Sequence, residues 1–184
     1  LEDIQNDIDR YVPQSQQEQT LDAISSHLIL FNTGTHRASD TLTSLIKSHL
    51  RNDLEYRAAL GEAKKNRDQL LSFLASRHLQ GIPQLGRLIE NKSILFDRVA
   101  PGHWTQDATD VRQYLSQNQI DANVFFAGAG SGGFLGIWIN FKSVVESEQS
   151  AERKRTADLL TTYLSMHQRN GAGIYEYTSS PGEV

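Results

Sequence analysis

The sequence predicts a mainly α-helical α+β protein: a long-helix bundle with a small antiparallel β-hairpin or three-stranded element in the C-terminal third. Three observations predict this class. Apolar residues recur at helical spacing through most of the chain, in narrow stripes on otherwise polar segments. Residues 122–141, the longest uncharged stretch, combine five glycines with four phenylalanines and a tryptophan. Residues 173–178, GIYEYT, alternate as strands do.

The N-terminal region predicts two helices and a break. Residues 3–12 predict a short helix that ends near Pro13. A second helix is expected over 15–31, because its apolar residues share one helix face, namely Leu21, Ile24, Leu28 and Phe31. The Asn-Thr-Gly-Thr segment at 32–35 then predicts a break, since Gly34 can adopt the left-handed conformation that ends helices.

Further helices are expected up to residue 118. The first has its apolar stripe at residues 42–50, and the second is a charged helix over 54–78. A helix or helical pair over 85–96 and a short helix over 107–117 follow. The predicted organisation is a helical bundle region over 1–118 and a second region over 119–178. The second region comprises a hairpin, a helix and a third strand, packed on the bundle as one domain, and a loose tail occupies 179–184.

The residue composition of the C-terminal third differs from that of the rest of the chain. Residues 123–127 and 134–141 have strand composition and flank a Gly-rich turn, which predicts a β-hairpin. A polar helix over 143–167 follows, and 173–178 forms the third strand. The Gly-centred strand pair resembles that of extracytoplasmic PAS-like sensor domains, but the resemblance covers this hairpin alone and includes no ligand motif.

The Gly-rich turn matches the dinucleotide fingerprint Gly-x-Gly-x-x-Gly at Gly128, Gly130 and Gly133. That fingerprint works because a helix begins at the third glycine and its N–H groups hold a pyrophosphate. Here the following residues, 134–139, are β-branched and aromatic, which favours a strand. The composition therefore favours a hairpin over a dinucleotide site.

A membrane-active interpretation also applies to residues 122–141. The segment is uncharged over nearly the length of a bilayer core, and its glycines at 128, 132 and 136 would permit close helix packing in lipid. Its glycines and asparagines disfavour a stable spanning helix. A conditional membrane-inserting element nevertheless stays open as an alternative function.

Composition and charge disfavour several kinds of partner and binding site. A net charge of −4 argues against nucleic acid as a partner, because phosphate binding draws on clustered positive charge. The absence of cysteine excludes disulfides and thiolate metal sites. No histidine pair has the spacing of a zinc helix, and no catalytic motif stands out, so no metal and no cofactor are expected and an enzyme is less expected than a binding module. The chain starts at Leu1, as expected for a processed product or part of a longer protein.

The candidate binding residues are a His-Trp pair in a Pro-Gly loop and the aromatic and glycine residues of the hairpin. They are His103, Trp104, Phe125, Phe126, Gly130, Gly133, Phe134 and Trp138. The predicted function is a non-enzymatic, sensor-like helical module in signalling or regulation that binds a small-molecule ligand or a protein partner. Narrow apolar stripes also predict a homodimer, because helices that bury little apolar surface within one chain can bury the rest against a second copy.

Overall fold

A computed structural model describes residues 12–35, 54–75, 82–99, 102–127, 133–167 and 171–176. The predicted stripe 42–50 and the tail 179–184 lie outside the described residues, as does the helix predicted over 3–12 apart from Val12.

The described residues form five helices and four strands. In chain order they are α1 (Gln14–His27), β1 (Leu28–Asn32), α2 (Leu54–Ala75), α3 (Ile82–Val99), α4 (Gln106–Gln117), β2 (Ala122–Phe126), β3 (Phe134–Ile139), α5 (Glu146–His167) and β4 (Gly173–Glu176). Long helices beside a small antiparallel sheet confirm the predicted α+β class. The predicted hairpin is present as β2 and β3, and the predicted third strand is β4.

The four strands form one sheet in the order β2-β3-β1-β4, and every pairing in it is antiparallel. Since β1 and β2 both run against β3, they finish at the same end of the sheet, where β3 and β4 begin. We call this the loop end, defined by the strand termini Asn32, Phe126, Phe134 and Gly173. The Gly-rich segment joins β2 to β3 at the loop end.

The helix predicted over 15–31 is wrong in its last part, because α1 ends at His27 and the next five residues form β1. Leu28 and Phe31 fit a helical stripe, but the run Leu-Ile-Leu-Phe also suits a strand that is buried on both faces. Backbone pairing decides between the two. β1 lies between β3 and β4, with Leu30 opposite both Gly136 and Tyr175.

Helices cover both faces of the sheet. On one face, strand residues such as Phe31 and Ile137 pack against α4 and α5 through Val111 and Leu160. On the other face, a second cluster joins the sheet to α1 and α3, and its buried members are Val12, Ile24, Leu28, Leu85, Phe125 and Trp138. Burial on both faces explains why these strands read as continuous apolar runs.

α3 protects β2, which is an outer strand of the sheet. The backbone N–H of Val124 donates to Glu90 Oε1 at 3.0 Å, and that of Phe126 donates to Ser93 Oγ at 3.3 Å. Asn123 Nδ2 also donates to Glu90, at 2.9 Å. One turn of α3 therefore supplies the acceptors that a neighbouring strand would otherwise provide.

None of the described helices is both long enough and apolar enough to cross a membrane.

Candidate functional site

The Gly-rich loop closes the β2–β3 hairpin at the loop end. Ala127 N–H donates to Phe134 O at 3.2 Å, where the two strands separate. Residues 128–132, and with them the predicted site residue Gly130, lie outside the described residues. Strand β3 begins directly after Gly133, so the helix that a dinucleotide fingerprint requires does not follow the third glycine. The sequence-based preference for a hairpin is thereby confirmed.

Gly133 packs tightly against the turn that follows β1. Its carbonyl accepts the N–H of Thr33 at 2.6 Å. A Cβ at Gly133 would lie 2.6 Å from the backbone oxygen of Thr35 and 2.7 Å from Asn32 Oδ1, too close for any side chain. The turn itself depends on Gly34, which has a φ of 75° and donates its N–H to Asn32 Oδ1 at 2.9 Å. Backbone contact therefore joins the two loops.

The beginning of α4 lies at the same end of the sheet. Thr105 caps this helix, and its hydroxyl oxygen accepts the N–H of Ala108 at 3.2 Å. Asp107, in the first turn, accepts a hydrogen bond from the Thr35 hydroxyl at 2.6 Å. A carboxylate in this position is favoured by the helix dipole. The turn after β1 thus connects the Gly-rich loop to a fixed carboxylate.

Asp97 of α3 holds the segment that leads into α4. One carboxylate oxygen, Oδ1, accepts the backbone N–H groups of Gly102 at 3.0 Å and Trp104 at 2.7 Å. The Trp104 indole donates to the Thr109 hydroxyl at 2.9 Å and meets the Phe126 ring edge-on at a centroid distance of 5.7 Å. These contacts fix Trp104 against the last residue of β2.

His103 is only 5% exposed and lies between two phenylalanines. Its ring centroid is 5.1 Å from that of Phe96 and 4.9 Å from that of Phe126. Within the described part of the chain, its Nδ1 has no hydrogen-bond partner. Burial lowers the pKa of His103 below its ordinary value of 6.5. The Asp97 carboxylate acts in the opposite direction, and Lys92 adds to the lowering. The imidazole is therefore neutral at pH 7.

The structure brings some of the predicted site residues together and separates others. His103, Trp104, Phe126 and Gly133 all lie at the loop end. Phe134, the first residue of β3, also lies at the loop end. Phe125 and Trp138 belong to the second cluster, on the opposite face of the sheet from the main core. Phe125 packs on Gly136, Trp138 stacks on His27 with centroids 5.3 Å apart, and Phe134 is 41% exposed beside Tyr175.

The polar residues around Gly133 are not among the predicted site residues, nor is the carboxylate connected to them; they are Asn32, Thr33 and Thr35, and Asp107, which accepts from Thr35. The sequence of 32–35 predicts a helix break, and Asp107 falls at the start of the helix predicted over 107–117. The available signal was that an Asn-Thr-Gly-Thr turn follows an apolar run that can be a strand. If β1 had been recognised as antiparallel to β3, the turn and the Gly-rich loop would have been placed at one end of the sheet.

No family model and no curated protein matches this sequence. Among solved structures, the fold is similar to that of L. major mevalonate kinase, solved in complex with R-mevalonate. The TM-score is 0.55 and the identity 11%, over 84% of this chain and 43% of the kinase. The mevalonate diphosphate decarboxylase from Enterococcus faecalis, studied for mevalonate diphosphate mediated ATP binding, has a TM-score of 0.48 and 16% identity, over 83% of this chain and 46% of the decarboxylase. This chain spans less than half the length of either protein.

The likeness to mevalonate kinase contradicts the predicted non-enzymatic, sensor-like module, because this fold is found in an enzyme. The basis of that prediction is narrow apolar helix stripes and the lack of a catalytic motif. Neither feature reveals a sheet whose neighbouring strands lie far apart in the sequence. The same likeness contradicts the alternative of a membrane-active protein. The described residues of 122–141 form the paired strands β2 and β3, and membrane contact through this segment stays a prediction. A protein partner, a homodimer and the exclusion of nucleic acid stay predictions.

Proposed function

We propose that this chain forms part of a small-molecule kinase and that its loop end binds a phosphate-bearing ligand. The observation that carries the proposal is the position of the Gly-rich segment: it joins β2 to β3 at the loop end of a fold similar to that of a mevalonate kinase. This chain corresponds to 43% of the length of that kinase. The chain accordingly contributes one wall of the active site, and the complete transfer reaction needs a further part of the enzyme.

The chemistry of the Gly-rich segment supports a phosphate ligand. Residues 128–132 read Gly-Ala-Gly-Ser-Gly, so that no side chain is larger than the hydroxymethyl group of Ser131. Small side chains let an anion approach the backbone, whose N–H groups are the donors used by phosphate-binding loops. Gly133 continues this pattern into the described part of the site, where its contact with Thr35 leaves no room for a side chain.

The surroundings of Gly133 supply the polar groups that a transfer reaction needs. Enzymes that transfer phosphoryl groups depend mainly on positioning and electrostatic stabilisation, with a carboxylate that orients the attacking hydroxyl or accepts its proton. Asp107 is the candidate for this carboxylate: it is connected to Gly133 through Thr35, whose backbone contacts Gly133 and whose hydroxyl donates to Asp107 at 2.6 Å. The first turn of α4 lies beside it and adds a dipole that favours anions.

The proposal is tested by mapping backbone amide shifts in a nuclear magnetic resonance titration with ATP, pyrophosphate and adenosine. We expect ATP and pyrophosphate to shift the amides of Thr35, Ala127 and Gly133, because a phosphate group in the loop polarises nearby N–H bonds. Adenosine, the matched ligand without phosphate, should leave these amides unchanged.

Two results would contradict the proposal. One is the absence of any shift with both phosphate compounds. The other is a set of shifts at the groove of about 300 Å³ between α2 and α3, which is lined by polar residues that include Asn66 and Asn91. That second result would move the binding site away from the Gly-rich loop.

A further inference from the structure

We infer that His103 is a pH-sensitive clamp for the loop end: in its neutral form it holds Phe126 in place, and its protonation releases Phe126 and Ala127 and weakens ligand binding. The ligand part of this inference rests on the proposed function. The conformational part stands on contacts within the described residues alone.

Phe126 is the hairpin residue that contacts both α3 and the 102–105 segment. Its ring contacts the rings of His103 and Trp104, at centroid distances of 4.9 and 5.7 Å. Its N–H donates to Ser93 Oγ at 3.3 Å. The next residue, Ala127, donates to Phe134 O, which is the last hydrogen bond of the hairpin within the described residues. A displacement of Phe126 therefore disturbs this hydrogen bond.

The environment of His103 accepts a neutral imidazole and disfavours a charged one. Phe96 and Phe126 provide apolar ring contacts, and Nδ1 has no acceptor among the described residues. Protonation would therefore create a buried, unpaired N–H donor together with a charge. The segments β2 and 102–105 carry no other charged side chain, so the charged groups that act on His103 come from α3.

The two charged groups on α3 do not remove this cost. Lys92 repels a second positive charge. Asp97 attracts it, but the Oδ1 atom of this carboxylate already accepts the N–H groups of Gly102 and Trp104. Burial outweighs the Asp97 attraction, so that the pKa of His103 is lowered in the clamped state. The proton therefore binds more tightly once the clamp opens.

The direction of the pH effect follows from this difference. In the released state, an exposed imidazole has the ordinary pKa of about 6.5. Above that pH both states are neutral at His103, and the clamp is independent of pH. As the pH falls below about 6.5, the released state gains up to about tenfold per pH unit, the limit for one proton, until the lowered pKa of the clamped state is reached.

His27 offers a matched control. Among the described residues it is the second buried histidine whose pKa is lowered by burial, and it lies at the opposite end of the sheet. Its Nδ1 is 2.6 Å from the carbonyl oxygen of Ile139, so this ring already has an acceptor. Substitution of His27 removes a titrating group of similar burial without touching Phe126.

The clamp is tested by amide hydrogen exchange at Ala127 between pH 5.5 and 7.5, expressed as a protection factor. In the unsubstituted protein and in His27→Asn, we expect protection to be constant above about pH 6.5 and to fall by up to about tenfold per unit below it. In His103→Phe and His103→Asn, protection should not depend on pH. Equal slopes in all four proteins, or no slope in the unsubstituted one, would overturn the inference.

If neither His103 variant folds, the unsubstituted protein still decides the question. The ring proton resonances of His103 and the amide resonances of Phe126 and Ala127 should then titrate with one common midpoint. Amide resonances that remain constant while His103 titrates would overturn the clamp.

The ligand part is tested by pyrophosphate affinity at pH 7.5 and 5.5 in the unsubstituted protein and in His103→Phe. Protonation of pyrophosphate affects both proteins equally, so only a greater loss in the unsubstituted protein, approaching about tenfold per unit, supports the inference. Equal losses in the two proteins would overturn the inference alone. Absence of pyrophosphate binding at either pH would overturn the ligand part together with the proposed function, whereas Ala127 protection would still report on the clamp.

Discussion

Replacement of Glu90 by alanine should destabilise the protein by about 2–4 kcal/mol, because this carboxylate satisfies the outer edge of β2. Glu90 is 5% exposed and accepts hydrogen bonds from Val124 N–H and Asn123 Nδ2 at 3.0 and 2.9 Å. Arg112 Nε lies 3.5 Å from the same carboxylate. Alanine at this position would remove the acceptor for both donors while β2 remains buried.

The size of this destabilisation follows from how deeply each group that contacts Glu90 is buried. Val124 is 0% exposed in the intact protein, and a buried donor left unsatisfied by the loss of Glu90 costs about 1–3 kcal/mol. Loss of the charge-assisted bond to Asn123 adds roughly 1 kcal/mol. The side chain of Arg112 is 50% exposed, and a partner in that position contributes at most about 1 kcal/mol.

The assay is urea unfolding followed by circular dichroism. With a slope of about 2 kcal/mol/M, the midpoint should fall by about 1–2 M. The matched control is Glu62→Ala, which removes the exposed ion pair to Arg98 and should cost less than about 1 kcal/mol. Glu90→Gln keeps one acceptor and should lie between these two variants. A Glu90→Ala protein as stable as Glu62→Ala would refute the role assigned to Glu90.

Two further predictions concern packing and pH. A Cβ in Gly86→Ala would lie 2.3 Å from Cδ1 of the Trp138 ring, and this clash should cost about 1–3 kcal/mol in thermal unfolding. Gly61→Ala, with open space around it, should instead stabilise α2 by about 0.5–1 kcal/mol, and equal stabilities would contradict the packing of α3 on β3. Since burial lowers the pKa of both His27 and His103, the unfolded state binds protons more readily, and the free energy of unfolding should fall as the pH drops below about 6.5. Urea unfolding at pH 7.5 and 5.5 measures this difference, and a higher stability at pH 5.5 would contradict it.

The C-terminal third was predictable because its signals are local. The polar helix expected over 143–167 is α5 (Glu146–His167), and the strand expected over 173–178 is β4 (Gly173–Glu176). A Gly-rich turn between two aromatic runs specified the hairpin, since turn and strand preferences act over a few residues. The small shifts in the ends of these elements leave the topology unchanged.

β1 and the polar part of the candidate site were not predictable in the same way. The spacing of Leu28 and Phe31 satisfies a helical stripe, and only pairing with strands more than a hundred residues later makes this segment extended. The contact between Thr35 and Asp107 depends on the same placement, because the turn reaches α4 only once β1 is in the sheet. The sequence predicts His103 and Trp104 as candidate site residues because an aromatic pair in a Pro-Gly loop is a local feature, and their role in binding stays a prediction.

The most direct measurement of phosphate binding at the loop end is the calorimetric Kd for pyrophosphate in the unsubstituted protein, Gly133→Ala and Gly61→Ala. A Cβ at Gly133 meets the backbone of Thr35 and displaces the Gly-rich loop, whereas a Cβ at Gly61 meets nothing. We expect the unsubstituted protein and Gly61→Ala to bind equally, and Gly133→Ala to bind at least about tenfold more weakly, equivalent to about 1.4 kcal/mol. Absence of binding by the unsubstituted protein, or an unchanged Kd in a folded Gly133→Ala, would contradict a phosphate site at the Gly-rich loop.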